Sequence, residues 1–293
     1  MSPIETNVDI ILLALLEERG YIRRENLIKT VLSKYKGTSG FSKPTIDRKI
    51  AQLEHKGKIQ IIKHEGLKSF GISDPNKNAS YLFHEKYLKS KRQIDEIIPL
   101  LTSREKEDSI LALEEICRYQ DEYQLTSIQL DSLVNLICED RTLTALTLSI
   151  LSDYVFNRKI SPLNKDEFIK KLRFILSQFE NNLTIEDLTD IPSIFEFANK
   201  PDKRNVYENA IHLLGYYKDD SVFHQLIRDL QDLERFSRIW YYYKEVNTSA
   251  IIDKHQSELF KIQLKLRKEG KFKAAELLSL IRTDAKRLVK FSH

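Results

Sequence analysis

The sequence predicts a mostly α protein in two parts: three helices closed by a β-hairpin, then an α-helical repeat region. Three observations predict it. Only 8 glycines and 7 prolines occur in 293 residues, so few positions interrupt a helix. Apolar residues recur at helical spacing along most of the chain. One stretch, 42–72, departs from that pattern: a helix, a glycine stop, then two short β-prone runs.

The elements follow in order. Val8 to Glu18 forms a first helix, with apolar positions at Ile10, Ile11, Ala14 and Leu15, and Arg19-Gly20 ends it. Tyr21 to Arg24 leads into a second helix over 25–35, whose inward face is Leu27, Ile28, Val31 and Leu32. A turn-rich connector, Lys36 to Gly40, comes next. Ser42 is a good N-cap, and Pro44 falls in the first turn, where a missing N–H is harmless. The third helix therefore starts there and runs to Lys56. Ile46, Ile50 and Leu53 make its buried stripe, while Lys43, Thr45, Arg48, Lys49, Gln52 and Lys56 fall on the other faces. Gly57 is a C-cap; 58–64 reads as a strand, Glu65-Gly66 as a tight turn and 67–72 as the return strand.

The run from Ser42 through Pro44-Thr45-Ile46-Asp47-Arg48-Lys49-Ile50 to Leu53 and Gly57-Lys58-Ile59 resembles the recognition helix and first wing strand of winged helix-turn-helix transcription regulators. The resemblance covers the first quarter of the chain. It implies a third helix that enters the major groove of duplex DNA, which is wide enough to admit one, and a wing that touches neighbouring phosphates or the minor groove. On this chain the implied base and phosphate contacts are Lys43, Thr45, Arg48, Lys49 and Gln52, and the wing contacts are Lys63, His64 and Lys68. Arg48 is the candidate for base readout, because a guanidinium can bond guanine bidentately. Asp47 departs from this logic: an acid beside the readout face repels phosphate unless it pairs with Lys43 or turns inward. The same module also serves other proteins as a protein contact.

Ser73 to Ser80 has turn and linker composition. The expected organisation is a winged-helix domain over 1–80, a connecting helix within 81–103 and a helical-repeat domain over 104–293. The connecting helix is basic at Lys86, Lys89, Lys91 and Arg92, then apolar at Ile94, Ile97 and Ile98. Helices are predicted over 105–119, 126–138, 141–156, 166–179, 185–198, 205–217, 221–233, 235–246, 250–269 and 273–290. Successive pairs recur at roughly forty residues, the range of HEAT and armadillo-like units. Asn209 to Tyr217, an Asp-Asp turn, then Val222-Phe223 and Leu226-Ile227 resemble a HEAT repeat most closely. A compact all-α domain is the competing architecture.

Composition sets the remaining bounds. Hydrophobic residues are 41% and charged residues 31% of the chain, values of a globular protein. The net charge of +4 hides a polarity. Residues 1–83 hold 14 Lys and Arg against 9 Asp and Glu, 84–250 hold 22 against 29, and 251–293 hold 11 against 5. Basic patches attract phosphate backbones. No run reaches the ~20 apolar residues of a membrane span, and Ile10 to Leu16 lacks the basic flank of a signal peptide, so no membrane partner and a cytoplasmic location are expected. Cys117 and Cys138 fall at apolar helix positions and read as reduced core residues.

Catalytic signatures are missing: there is no phosphate-binding glycine loop, HExxH, CxxC or nucleophile elbow. His212 and His224 read as structural, and the adjacent acids Glu114-Glu115, Glu139-Asp140 and Asp219-Asp220 as solvated side chains. No cofactor, metal or enzyme activity is expected. Trp240 to Tyr243 points around a whole helix and reads first as packing between repeats. Lys261, Lys265, Arg267, Lys268, Lys271, Lys273, Arg282, Lys286, Arg287 and Lys290 make a basic C-terminus and a candidate second nucleic-acid contact.

The expected function is duplex DNA binding in transcription regulation, with the helical part contacting a protein partner, an effector or a second copy of the chain. Two other readings fit parts of the sequence. One is a helical-repeat scaffold whose winged module contacts protein. The other is an enzyme resembling helical-repeat DNA glycosylases, against which the acidic middle argues.

Overall fold

The computed structural model describes residues 8–138, 141–179 and 206–291 of the chain. It is mostly α-helical, with one small antiparallel sheet of three strands near the N-terminus. Two compact units divide it, Met1–Gln129 and Leu130–His293. The expected 185–198 helix and the Glu139-Asp140 pair lie outside the described residues.

The first unit opens with α1 (Val8–Arg19), β1 (Tyr21–Arg23), α2 (Arg24–Lys34) and α3 (Lys43–His55), followed by β2 (Ile59–Lys63) and β3 (Ser80–His84). Its core joins Leu12 and Leu16 of α1, Leu27 and Val31 of α2, and Ile46, Ile50 and Leu53 of α3 to Ile22, Ile59 and Leu82 of the strands. On α2 and α3 these are the stripes the sequence spacing predicts, whereas α1 buries Val8, Leu12 and Leu16 and leaves the expected Ile10 and Ala14 exposed. Both β1 and β2 pair antiparallel with β3, so the sheet order is β1-β3-β2, with Ile22 and Ile61 opposite Leu82. Three helices and this sheet are compatible with a winged helix.

The return strand is not where turn chemistry placed it. Residues 64–70, expected as the last residue of the first strand, the Glu65-Gly66 turn and the start of the return strand, form a 3₁₀ helix that ends at Gly71 in the left-handed conformation (φ 67°). Its Leu67 is buried, and its Phe70 ring lies 4.4 Å from that of Phe83. The strand that pairs with β2 is β3, which falls at the end of the expected linker and the start of the expected connecting helix. β3 wins because alternate residues fill both faces of the sheet. Leu82 enters the three-helix core, while Phe83 joins Tyr21, Phe70 and Tyr87 at ring distances of 4.4–5.7 Å on the other face. Gly20 permits this second layer: its φ is +72°, and a Cβ there would stand 2.3 Å from the Tyr87 ring. α4 (Glu85–Ile97) carries Tyr87 and precedes a 3₁₀ turn at Ile98–Thr102 and α5 (Lys106–Tyr119).

The division between units falls inside α6 (Ser127–Leu136). The second unit continues through α7 (Arg141–Phe156), α8 (Lys165–Phe179), α9 (Val206–Tyr216), α10 (Ser221–Asp229), α11 (Leu233–Ile239), a 3₁₀ turn (Trp240–Lys244), α12 (Val246–Lys254), α13 (Gln256–Lys268) and α14 (Phe272–Phe291). α9 is central: Asn209 through Gly215 are all buried, and it packs on α7, α8 and α12. Gly215 allows the close approach, since a Cβ there would lie 2.7 Å from the Asn247 carbonyl oxygen.

Three further expectations are corrected. The 250–269 helix is two helices that break at His255 (φ −100°, ψ 18°), and the 235–246 helix ends at Ile239 before the aromatic run, which is a 3₁₀ turn. Cys138 is an exposed residue at φ 75° just past α6, not a core position, and Cys117 is only partly buried; neither is in a disulfide. Tyr242 and Tyr243 are core side chains, whereas Tyr241 is 46% exposed. No described helix is long and apolar enough to cross a membrane.

Candidate nucleic-acid interface

α3 is fixed at its start and along its inner face. The Ser42 side chain accepts the Thr45 N–H and meets the Thr45 hydroxyl at 2.9 Å, and Pro44 occupies the first turn. The chain after the helix turns at Gly57 (φ 70°), where the Lys58 N–H reaches back to the Leu53 carbonyl. This glycine-capped exit leads directly into β2. With Ile46, Ile50 and Leu53 buried, the helix cannot rotate about its axis without exposing them.

That orientation sorts the predicted contacts. Arg48 and Gln52 are exposed and, at four-residue spacing, share one face. His55, seven residues beyond Arg48 and also exposed, lies on the same face and was not among the predicted contacts; its helical spacing is the signal that identifies it. Thr45 and Lys49 flank this face and are partly buried. Lys43 is exposed but about 140° round the helix from Arg48 by the 3.6-residue repeat. The side chains of Lys43, Arg48, Gln52, Lys63 and Lys68 form no hydrogen bond or ion pair with any described residue.

Two cations beside this face are neutralised from within. The Lys49 ammonium lies 3.4 Å from the Asp9 carboxylate of α1. Asp47 neither pairs with Lys43 nor turns inward: it accepts from Arg24 Nη2 at 2.9 Å. Arg24 is a second candidate, after His55, that motif reading missed. It opens α2, at the positive end of that helix, where a cation is disfavoured, and such a misplaced charge is the available sequence signal.

The connector between β2 and β3 carries the predicted wing residues. Lys63 ends β2, and Lys68 lies exposed on the 3₁₀ helix. His64 is half-buried, with Nε2 2.9 Å from the Asp74 carbonyl oxygen, so this ring nitrogen is engaged inside the loop. The buried Asp74 carboxylate accepts from the Asn76 N–H at 2.9 Å and the Tyr81 hydroxyl at 3.0 Å, and meets Arg23 Nη1 at 3.5 Å. The Asn76 N–H above all holds this carboxyl below the usual aspartate range; Tyr81, Arg23 and His64 add to it, and burial opposes. One acid thus ties the connector to β1 and β3.

A buried polar cluster of the second unit is bonded within itself. Asp229 accepts from Tyr207 at 2.6 Å, from Tyr243 and from Gln225 at 3.1 Å, and pairs with Arg235 at 3.0 Å. His212 is likewise internal, with Nε2 3.0 Å from the Tyr242 carbonyl oxygen. These residues specify packing. Comparison of the chain with protein-family models, curated proteins and solved structures finds no match.

Proposed function

We propose that the N-terminal module is a winged helix that binds duplex DNA through α3, and that the chain acts in transcription regulation, its HEAT-like helical part offering a surface to a protein partner or a second copy. The observation that carries this reading is the exposed Arg48–Gln52–His55 face, whose side chains form no hydrogen bond or ion pair with a described residue, set on a helix whose other side is locked in the core. Arg48 suits guanine O6 and N7, and Gln52 suits adenine N6 and N7. Lys63, Lys68 and Lys43 would add phosphate contacts.

The test is duplex binding by the full chain across a salt series, beside a Lys43→Glu/Arg48→Glu double variant. Affinity that falls steeply with salt in the parent, and at least tenfold lower affinity with a slope shallower by about 2 in the variant, supports the reading. Equal affinity of the two proteins, with unchanged helical content, removes it. The internal neutralisation of Lys49 and Arg24 favours a second reading, a protein-contact module, because it thins the positive surface. Salt-independent failure to bind duplex would assign the module to that role.

A further inference from the structure

Among the described residues, α13 is an edge helix with an unusual outer side. It turns Leu259, Gln263 and Leu266 inward and packs on α14. Its outer side presents Phe260 and Leu264, four residues apart and 47% and 42% exposed, beside exposed Lys261, Arg267 and Lys268. None of these three cations pairs with a described acid, whereas Lys265 and Lys271 both approach Glu269.

The Phe260 ring is backed by a built support. The Arg282 guanidinium of α14 lies 4.9 Å from its centroid. Arg282 Nε donates to Gln256 Oε1 at 3.0 Å, Nη1 donates to Gln263 Oε1 at 2.5 Å, and Gln256 returns a hydrogen bond to the Arg282 carbonyl at 2.9 Å. Gln263 is 4% exposed, so the fork is anchored in the core. No described carboxylate neutralises Arg282. One side of the ring is thus covered by a fixed cation while nearly half of the residue stays open to solvent.

We propose that this face of α13 is a single-stranded nucleic-acid site, with a base stacked on the open side of Phe260 and phosphates on Lys261, Arg267, Lys268 and Arg282. A planar group beside unneutralised cations matches a base and its phosphate, and aromatic platforms within basic surfaces bind single strands without base-specific bonds. A duplex hides the faces of its bases inside the stack. An acidic peptide would satisfy the charges but has no flat group to meet the ring. A lipid surface would need more apolar area than two side chains on this helix supply. The site rests on residues of the second unit alone.

The experiment is anisotropy titration of the full chain with a labelled mixed-sequence single strand of roughly 20 nucleotides, long enough to span a site. Binding weakens as salt rises, and Phe260→Leu, which keeps apolar bulk without the ring, lowers affinity roughly 5- to 100-fold. Lys261→Gln/Lys268→Gln, at exposed positions that leave the fold intact, makes the log–log salt slope shallower by about 1.4. The proposal is overturned if the parent does not bind the strand at low salt or if Phe260→Leu binds equally well. It is equally overturned if poly-glutamate or phosphatidylserine-rich vesicles displace the strand at lower concentration than unlabelled strand does.

Discussion

Arg24 Nη2 donates to Asp47 Oδ1 at 2.9 Å, joining the first turn of α2 to the flank of α3. The pair answers two local problems at once: a cation at the positive end of one helix and an acid beside the proposed readout face of another. Each side chain is about one-third exposed, so the bond itself contributes only about 0.2–1 kcal/mol.

Its larger effect falls on DNA. Asp47→Asn removes a negative charge and frees Arg24 to meet phosphate, so duplex affinity rises several-fold and the salt slope steepens by about 1. Titration at several salt concentrations checks this, with thermal unfolding as the control for a loss of about 1 kcal/mol or less. Unchanged affinity and slope would place both residues away from the duplex.

Asp74 predicts a pH dependence. Its carboxyl is held low in the folded chain, chiefly by the Asn76 N–H, so folding is favoured by its ionised form. A depressed folded pKa contributes stability that is present above the unfolded value of about 3.9 and is lost as pH falls through the folded value. Asp74→Asn therefore melts at a lower temperature than the parent at pH 6, and the two melting temperatures converge as pH falls below about 4. A gap that stays constant from pH 6 to pH 2 would show that the ionised carboxylate is not what holds the connector.

The position of the return strand is open to a direct test. Leu82 is fully buried in the three-helix core, whereas Ile72, in the expected strand, is half-buried outside it. Leu82→Ala should cost about 2–5 kcal/mol in urea unfolding, and Ile72→Ala about 1 kcal/mol or less. The reverse order would restore the hairpin closed at Glu65-Gly66.

In the second unit, Tyr243→Phe removes one donor from buried Asp229 and should cost about 1–3 kcal/mol. Asp229→Ala should cost about 3–5 kcal/mol, because it strips Arg235 of its carboxylate and leaves two buried phenols without their acceptor. Burial pushes the Asp229 carboxyl above the usual range, and burial with that neighbouring charge pushes both phenols well above theirs, as expected of groups cut off from water. Thermal unfolding of both variants checks the order; a smaller loss for Asp229→Ala than for Tyr243→Phe would mean the cluster is not organised around the acid.

Much of the candidate interface was legible in the chain because its signals are local. A serine before a proline starts a helix, a glycine ends it, and three apolar residues at helical spacing declare its inner face. The outer residues followed by subtraction, Arg48 and Gln52 among them. Arg24 and His55 were overlooked for different reasons: one joins α3 only through the packing of α2, and the other stands past the end of the motif.

The sequence alone determined the course of α2 and α3 and their buried stripes, because each depends on residues within one or two turns of one another. It did not show that α1 buries Val8, Leu12 and Leu16 rather than Ile10 and Ala14, nor the breaks at Ile239 and His255. Tertiary structure decided which β-prone run closes the sheet. Both 67–72 and 80–84 can form a strand, but only the second offers side chains for two facing cores, Leu82 to the helices and Phe83 to the aromatic layer. It also decided which cations stay available, since Asp9 and Asp47 neutralise Lys49 and Arg24 across distances in sequence that no local pattern encodes.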